Sequence, residues 1–303
     1  MPEKLIRTLA VILALAGLVA AAVNLAGCAP QPAHAQTAAT AASAAERTIE
    51  NKGSDTLVNL ALAWAEAYMQ AHPHLRISVT GGGTGTGIAA MLNGTVDIAS
   101  ASREIKAEEL KAAKEKGLAP KQFTVAGDAI AVIVNRSNPV EKLTLQQISD
   151  IYTGKITNWR EVGGENHPIV RLSRESNSGT YVYFLENVIR LGKKSDLLFS
   201  PDTLLMPSSQ GIGAEVSQNP NAIGYDGLGY VTPDLKVIAV AASTAGPYVM
   251  PAQATVHDGT YPIARMLYLY TPNEPDRDIQ EYLAWIQKDG QALVAQLGFV
   301  PLK

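Results

Sequence analysis

The chain has 303 residues, 47% of them hydrophobic, and its 25 Lys and Arg against 28 Asp and Glu leave a formal net charge of −3. That near balance lacks the basic excess that usually marks a nucleic-acid partner. Cys28 is the single cysteine, which rules out an intrachain disulfide and a thiolate metal cluster.

Reading from the N-terminus, Lys4 and Arg7 precede an unbroken apolar run over 9–23. The run is at the upper end of a signal-peptide core and too short for an ordinary membrane span. Leu25-Ala26-Gly27-Cys28 follows, and small residues before a cysteine resemble the lipobox at which bacterial signal peptidase II cleaves. The resemblance implies a signal peptide over 1–27, a lipidated Cys28 and a mature protein outside the cytoplasm, anchored to a membrane through lipid. Residues 28–46 are mostly Ala, Pro, Gln, Thr and Ser and cannot bury a core, so they read as a flexible tether.

The folded part begins near Arg47. The patterns predict a strand over 49–52, a helix over 57–71, a strand over 75–80, a short helix over 88–93 and a buried strand over 96–99. An exposed helix over 107–116 is followed by strands over 123–125 and 129–135. The second half gives a helix over 145–152, a strand over 169–172, helices over 181–191 and 212–218, and strands over 222–225, 235–239 and 265–270. One or two helices over 279–297 end the chain. Alternating strands and helices of this kind predict an α/β fold with a mainly parallel sheet.

Four strand-to-helix turns share one composition of glycine and small hydroxyl residues: Gly53-Ser54-Asp55-Thr56-Leu57, 81–87 (GGGTGTG), Ser176-Asn177-Ser178-Gly179-Thr180 and Ser208-Ser209-Gln210-Gly211. Residues of this type before a helix are usually plain N-caps. The first N–H groups of a helix also lack intrahelical partners and carry partial positive charge, so several such turns converging would suit a small oxyanion. A chain of net negative charge would hold such a ligand through local dipoles rather than overall attraction. Arg174, four residues before Ser178, has the planar fork that matches two oxygens of one anion. Neither G-x-G-x-x-G nor G-x-x-x-x-G-K occurs, so the glycine-rich turns are not nucleotide loops.

At these residues the chain resembles the substrate-binding proteins of ABC-type phosphate importers. The resemblance is carried by 128–164 (DAIAVIVNRSNPVEKLTLQQISDIYTGKITNWREVGG), by 174–184 (RESNSGTYVYF), by 219–231 (NPNAIGYDGLGYV) and by the terminal LGFVPL. It implies a periplasmic-binding-protein fold: two α/β lobes, two hinge-crossing strands near 127–135 and 255–265, and the ligand between the lobes. Lobe 1 would comprise 47–130 and 256–303, and lobe 2 would comprise 131–255.

Carried over residue by residue, the resemblance places inorganic phosphate on Arg174, Ser178, Gly179 and Thr180, on Thr84, and on the first loop, Ser54 to Leu57. In that loop either Asp55 or Thr56 takes the hydroxyl position, and Thr56 with its N–H is preferred. Part of the family has an aspartate where this chain has Ser102. That aspartate accepts the proton of hydrogen phosphate and rejects sulfate. Asp55 is a candidate for the missing acceptor, equally readable as a helix cap. Arg103 is a weaker candidate cation, equally readable as an ion-pair partner of a neighbour such as Glu104.

The implied partners are phosphate and the permease and ATPase of an importer, with a monomeric binding protein and no cofactor or metal. His34, His72, His74, His167 and His257 form no zincin pattern, and no G-x-S-x-G occurs, so an enzyme is not expected. The alternatives are a binding protein for another tetrahedral oxyanion and a phosphate-sensing lipoprotein without transport.

Overall fold

The structure, a computed structural model, describes residues 47–303; the expected signal peptide, Cys28 and the whole of the tether lie outside them. In chain order the first elements are β1 (Arg47–Gly53), α1 (Asp55–Ala71), β2 (Leu75–Thr80), α2 (Thr84–Leu92), β3 (Ile98–Ala101), α3 (Ala107–Glu115) and β4 (Lys121–Asn135). Next come β5 (Lys142–Thr144), α4 (Leu145–Tyr152), β6 (Val170–Arg174), α5 (Gly179–Phe184), β7 (Leu204–Met206), α6 (Ser209–Gln218) and β8 (Ala222–Gly227). The chain ends with β9 (Leu235–Val237), β10 (Ala239–Ala241), α7 (Gln253–His257), β11 (Ala264–Thr271), α8 (Arg277–Gln287) and α9 (Gln291–Gln296).

Eight strands lie side by side in the order β2-β1-β3-β11-β4-β8-β6-β7, with β9 also pairing β4. The β1–β2, β1–β3, β6–β7 and β6–β8 pairs are parallel, whereas β4 and β11 run antiparallel to their neighbours. Strand β4 belongs to both halves: residues 121–129 pair with β11, and residues 130–134 pair with β8. Gly127 and Asp128 do not break it, although the sequence pattern suggests two strands. The N–H and C=O of Gly127 instead exchange hydrogen bonds with Val300, at 2.7 and 2.9 Å.

Each lobe closes its own core. In the first, α1 buries Leu57, Leu60, Ala61, Trp64, Ala65 and Tyr68, the i, i+3, i+4, i+7 stripe of an amphipathic helix. These pack with Val125, Leu267, Tyr282, Ile286 and Phe299. Each such large apolar side chain contributes roughly 1.5–3 kcal/mol on burial.

In the second lobe β4 shows the two-residue period of a strand buried on both faces. Ile130, Val132 and Val134 face one core with Ile148, Tyr152, Trp159, Phe184 and Tyr225, while Ala131 and Ile133 face another with Leu172, Ile212 and Val216. Tyr261 and Ile263 pack in this lobe, so the chain returns to β11 later than residue 256.

Several helices start earlier than their apolar periodicity suggests, because the hydroxyl and glycine residues read as loops form their first turns. Thr84 opens α2, Gly179 opens α5 and Ser209 opens α6. The last turns of the 181–191 helix are π-helical, over Leu185–Ile189. The single strand expected over 235–239 divides into β9 on β4 and β10 on β5.

Candidate functional site

The turns entering α1, α2 and α5 and the end of β3 meet between the lobes. Thr56 Oγ1 lies 2.8 Å from Thr180 Oγ1, a hydroxyl contact across 124 residues of sequence. Thr84 Oγ1 lies 3.3 Å from Ser102 Oγ and accepts the Ser102 N–H at 3.1 Å. Ser178 is the N-cap of α5, its Oγ accepting from the N–H groups of Thr180 and Tyr181 at 3.2 and 3.4 Å. Thr56, Thr84, Ser102, Ser178 and Thr180 are all buried. In contrast to Ser178, no side chain caps α1 or α2.

Glycine at 179 is required by space. A Cβ there would stand 2.5 Å from both Ser102 Oγ and Thr84 Oγ1. Gly179→Ala should therefore push Ser102 and Thr84 away from α5, hold the lobes apart and weaken a ligand that needs both. An overpacking cost of about 1–3 kcal/mol corresponds to a loss of roughly five- to 150-fold. Ligand titration beside small-angle scattering checks this, the variant staying more extended when ligand is added.

Arg174, at the end of β6, spans the cleft. Its Nη2 donates to Asp55 Oδ2 at 2.5 Å and to Pro207 O at 3.0 Å, its Nη1 to Ser209 Oγ at 3.0 Å, and its Nε to Met206 O at 3.3 Å. Asp55 Oδ1 accepts the Gly82 N–H at 2.9 Å. Both oxygens of Asp55 thus serve protein donors, and the carboxylate latches α1 to Arg174. A second latch is Asn177, whose O accepts from Gly85 N at 2.9 Å and whose Nδ2 donates to Gly82 O at 2.9 Å.

Two expected residues fall outside this arrangement. Arg103 pairs with Glu109 through Nη1 and Nη2 at 2.8 and 2.7 Å and reaches the Glu104 carbonyl, so the ion-pair reading describes its guanidinium, with Glu109 rather than the Glu104 carboxylate as partner. Leu57 sends its side chain into the lobe 1 core and its N–H to Ser54 O at 3.0 Å. Ser54 is buried, its N–H on Ser100 O at 2.8 Å.

Sequence reasoning missed Arg265 and Asp128. Arg265 donates from Nη2 to Thr180 Oγ1 at 3.0 Å, to Thr56 Oγ1 at 3.4 Å and to Asp128 Oδ2 at 2.8 Å, and from Nη1 to Ser102 O at 2.9 Å. Its partner Asp128 stands directly across from it in the β4–β11 register. Burial pushes the Asp128 carboxyl above the usual carboxylate range, with Arg265 and the Leu228 N–H opposing. The available signal is periodicity: Arg265 shares its strand face with the core residues Leu267 and Leu269, and Asp128 is an isolated charge in an apolar strand.

Two α/β lobes sharing strands and meeting over buried hydroxyls and guanidinium groups are the build of a two-lobe solute-binding protein. The PBP superfamily domain matches residues 37–289, and the phosphate-binding protein PstS of Pseudomonas aeruginosa is 33% identical over 86% of this chain and 85% of its own. The chain belongs to this family, the phosphate-binding proteins of the PBP superfamily. Protein SphX of Synechococcus elongatus is also 33% identical, over 86% of this chain and 79% of its own length. A Clostridium perfringens structure described as a phosphate ABC transporter substrate-binding protein with bound phosphate is 33% identical, with a TM-score of 0.76 over 84% of this chain and all of that one.

Proposed function

We propose that this chain captures inorganic phosphate between its lobes and delivers it to an ABC importer. The observation that carries the reading is the cross-lobe cluster of Thr56, Thr84, Ser102 and Thr180 beside two guanidinium groups. Relatives named for phosphate binding, and a phosphate-bound structural relative, support the ligand class.

Capture is a hinge motion about the strands that join the lobes. The lobes part and the anion enters among the hydroxyls, so the Thr56–Thr180 and Thr84–Ser102 pairs each exchange a hydroxyl partner for a phosphate oxygen. Thr56, Thr84, Ser102, Ser178, Thr180 and the Gly179 N–H are the proposed donors. Arg174 and Arg265 supply charge, with Asp55 holding Arg174 in place. Closure then removes water and strengthens each bond to the ion. None of this requires bond-breaking chemistry or a cofactor.

The N-terminal pattern supports export and lipid attachment at Cys28, with the domain held at a membrane surface outside the cytoplasm by its tether. Among the described residues, no helix is long and apolar enough to cross a membrane.

Calorimetric titration of the domain 47–303 with phosphate, arsenate, sulfate and molybdate tests the reading. One phosphate bound per chain, with sulfate silent, is the expected result. A silent phosphate titration or a preference for molybdate would overturn it.

A further inference from the structure

Behind Arg174 lies a third carboxyl group that the capture mechanism has not used. Asp226, at the end of β8, is fully buried. Its Oδ1 accepts two hydrogen bonds, from Ser209 Oγ at 2.9 Å and from the Gly227 N–H at 2.8 Å. Its Oδ2 is buried and has no hydrogen-bond partner. An ionised carboxylate spreads its charge over both oxygens, and leaving one of them buried without a donor is costly. A neutral carboxylic acid has one carbonyl oxygen to take both donors, and its hydroxyl, buried without a partner on Oδ2, costs less than a buried charge. The donors around Asp226 are placed for the neutral acid.

Charge counting points the same way. Arg174 and Arg265 are the two cations of the cleft, and Asp55 and Asp128 each already pair with one of them. Ser209 links the third carboxyl to the first cation, accepting from Arg174 Nη1 and donating to Asp226 Oδ1. With Asp226 ionised, three carboxylates oppose two guanidinium groups, and an arriving anion meets a net negative site. With Asp226 neutral, the charges cancel. The groups facing Asp226 are Ser209 from α6, Arg174 from β6, Asp128 from β4 and Tyr230 from the turn after β8. Asp128 opposes ionisation while Arg174 favours it.

Resting on the phosphate reading, we propose that anion capture is proton-linked at Asp226: closing on phosphate draws one proton from solvent onto Asp226 Oδ2. The step forms an O–H bond and changes nothing else covalently. It makes Asp226 a positioning residue that reaches the anion only through Ser209 and Arg174.

The direction of the pH effect follows from linkage. Burial pushes the Asp226 carboxyl up to about 6. Below that pH the free protein already carries the proton, and binding takes up none. Above it the free protein is ionised, the bound anion raises the affinity of Asp226 for a proton, and uptake accompanies binding.

Titrating the mature protein with phosphate at pH 7.5, in two buffers of different ionisation enthalpy, measures the protons taken up per phosphate. Phosphate's own titration is common to all variants and cancels when the wild-type protein is compared with Asp226→Asn. The expected result is that the wild type takes up more protons than the variant, by a difference approaching about one. The variant should also bind roughly tenfold or more tightly above neutral pH and converge with the wild type at pH 5. Equal proton uptake, or a loss of affinity by the same factor at every pH, would overturn the proposal and leave a merely structural carboxyl. Independently of the variant's stability, the carbonyl band of a protonated carboxylic acid should grow in the wild-type infrared spectrum when phosphate is added at pH 7.5, and no change there would equally overturn it. A protein that bound no phosphate would remove the phosphate reading itself, a result distinct from binding without a proton.

Discussion

Arg174→Met is expected to lower phosphate affinity by roughly two to three and a half orders of magnitude. The guanidinium is buried, its side chain 2% exposed, and it holds four protein acceptors, among them the carboxylate of Asp55 at 2.5 Å. Removing one partner of a buried ion pair costs about 3–5 kcal/mol, largely because the other charge stays behind unpaired. At about 1.4 kcal/mol per factor of ten, a loss of that size falling on the closed state alone gives the stated range. The sign is fixed by electrostatics as well: without Arg174, Asp55 faces the anion as an unopposed negative charge.

The double variant Arg174→Met, Asp55→Asn separates the two contributions. It removes the stranded carboxylate and should recover most of the lost affinity on a logarithmic scale, with the remainder reporting the direct interaction of the guanidinium with phosphate. Titration calorimetry on the single and double variants reads both quantities. Asp55→Asn by itself leaves Arg174 without its counter-charge and should alter phosphate affinity but not the preference over sulfate, because both Asp55 oxygens are already occupied by Gly82 N–H and Arg174. An Asp55 that accepted the proton of hydrogen phosphate would instead lose its discrimination against sulfate in that variant.

The parts of this site that were legible in the sequence are those whose chemistry is local. A glycine and a hydroxyl at a strand-to-helix turn announce themselves over five residues, and Thr56, Thr84, Ser178 and Thr180 were all readable in this way. The same turns hid the helix starts, because Thr84 and Ser209 are helical by backbone but carry none of the apolar periodicity used to place helices. Strand β3 is assigned to Ile98–Ala101 where apolar pattern suggests 96–99, since Ala and Ser in its last positions are held by pairing with β1 and β11 rather than by their own bulk. Three-residue strands such as β5 and β7 exist only through partners far away in the chain and have no period of their own. Arg265 was the largest omission. Its role depends on cross-strand register with Asp128 and on a lobe-to-lobe approach that brings Thr56 and Thr180 to it, and neither is encoded within any window around residue 265.

Asp128→Asn is expected to be the most destabilising polar substitution at this centre. Asp128 is fully buried and takes two hydrogen bonds from Arg265, from Nε at 3.1 Å and Nη2 at 2.8 Å, in a strand pair that both lobes share. An asparagine keeps the shape and one acceptor oxygen but turns an ion pair into a buried, uncompensated guanidinium. The expected loss is again about 3–5 kcal/mol. For a domain of this size each kcal/mol shifts the midpoint by about 2–4 °C, so thermal melting should fall by roughly 6–20 °C. Phosphate should then restore a larger share of stability than it adds to the wild type, because the anion supplies the negative charge that Arg265 has lost. Melting curves with and without phosphate measure both effects. A double variant that also replaces Arg265 by methionine should recover stability while failing to respond to phosphate, which assigns the cost to the stranded charge and the ligand response to the guanidinium. If Asp128→Asn melted with the wild type, the pair would hold no energy worth the burial of two charges, and the strand register alone would be what fixes Arg265 beneath the cleft.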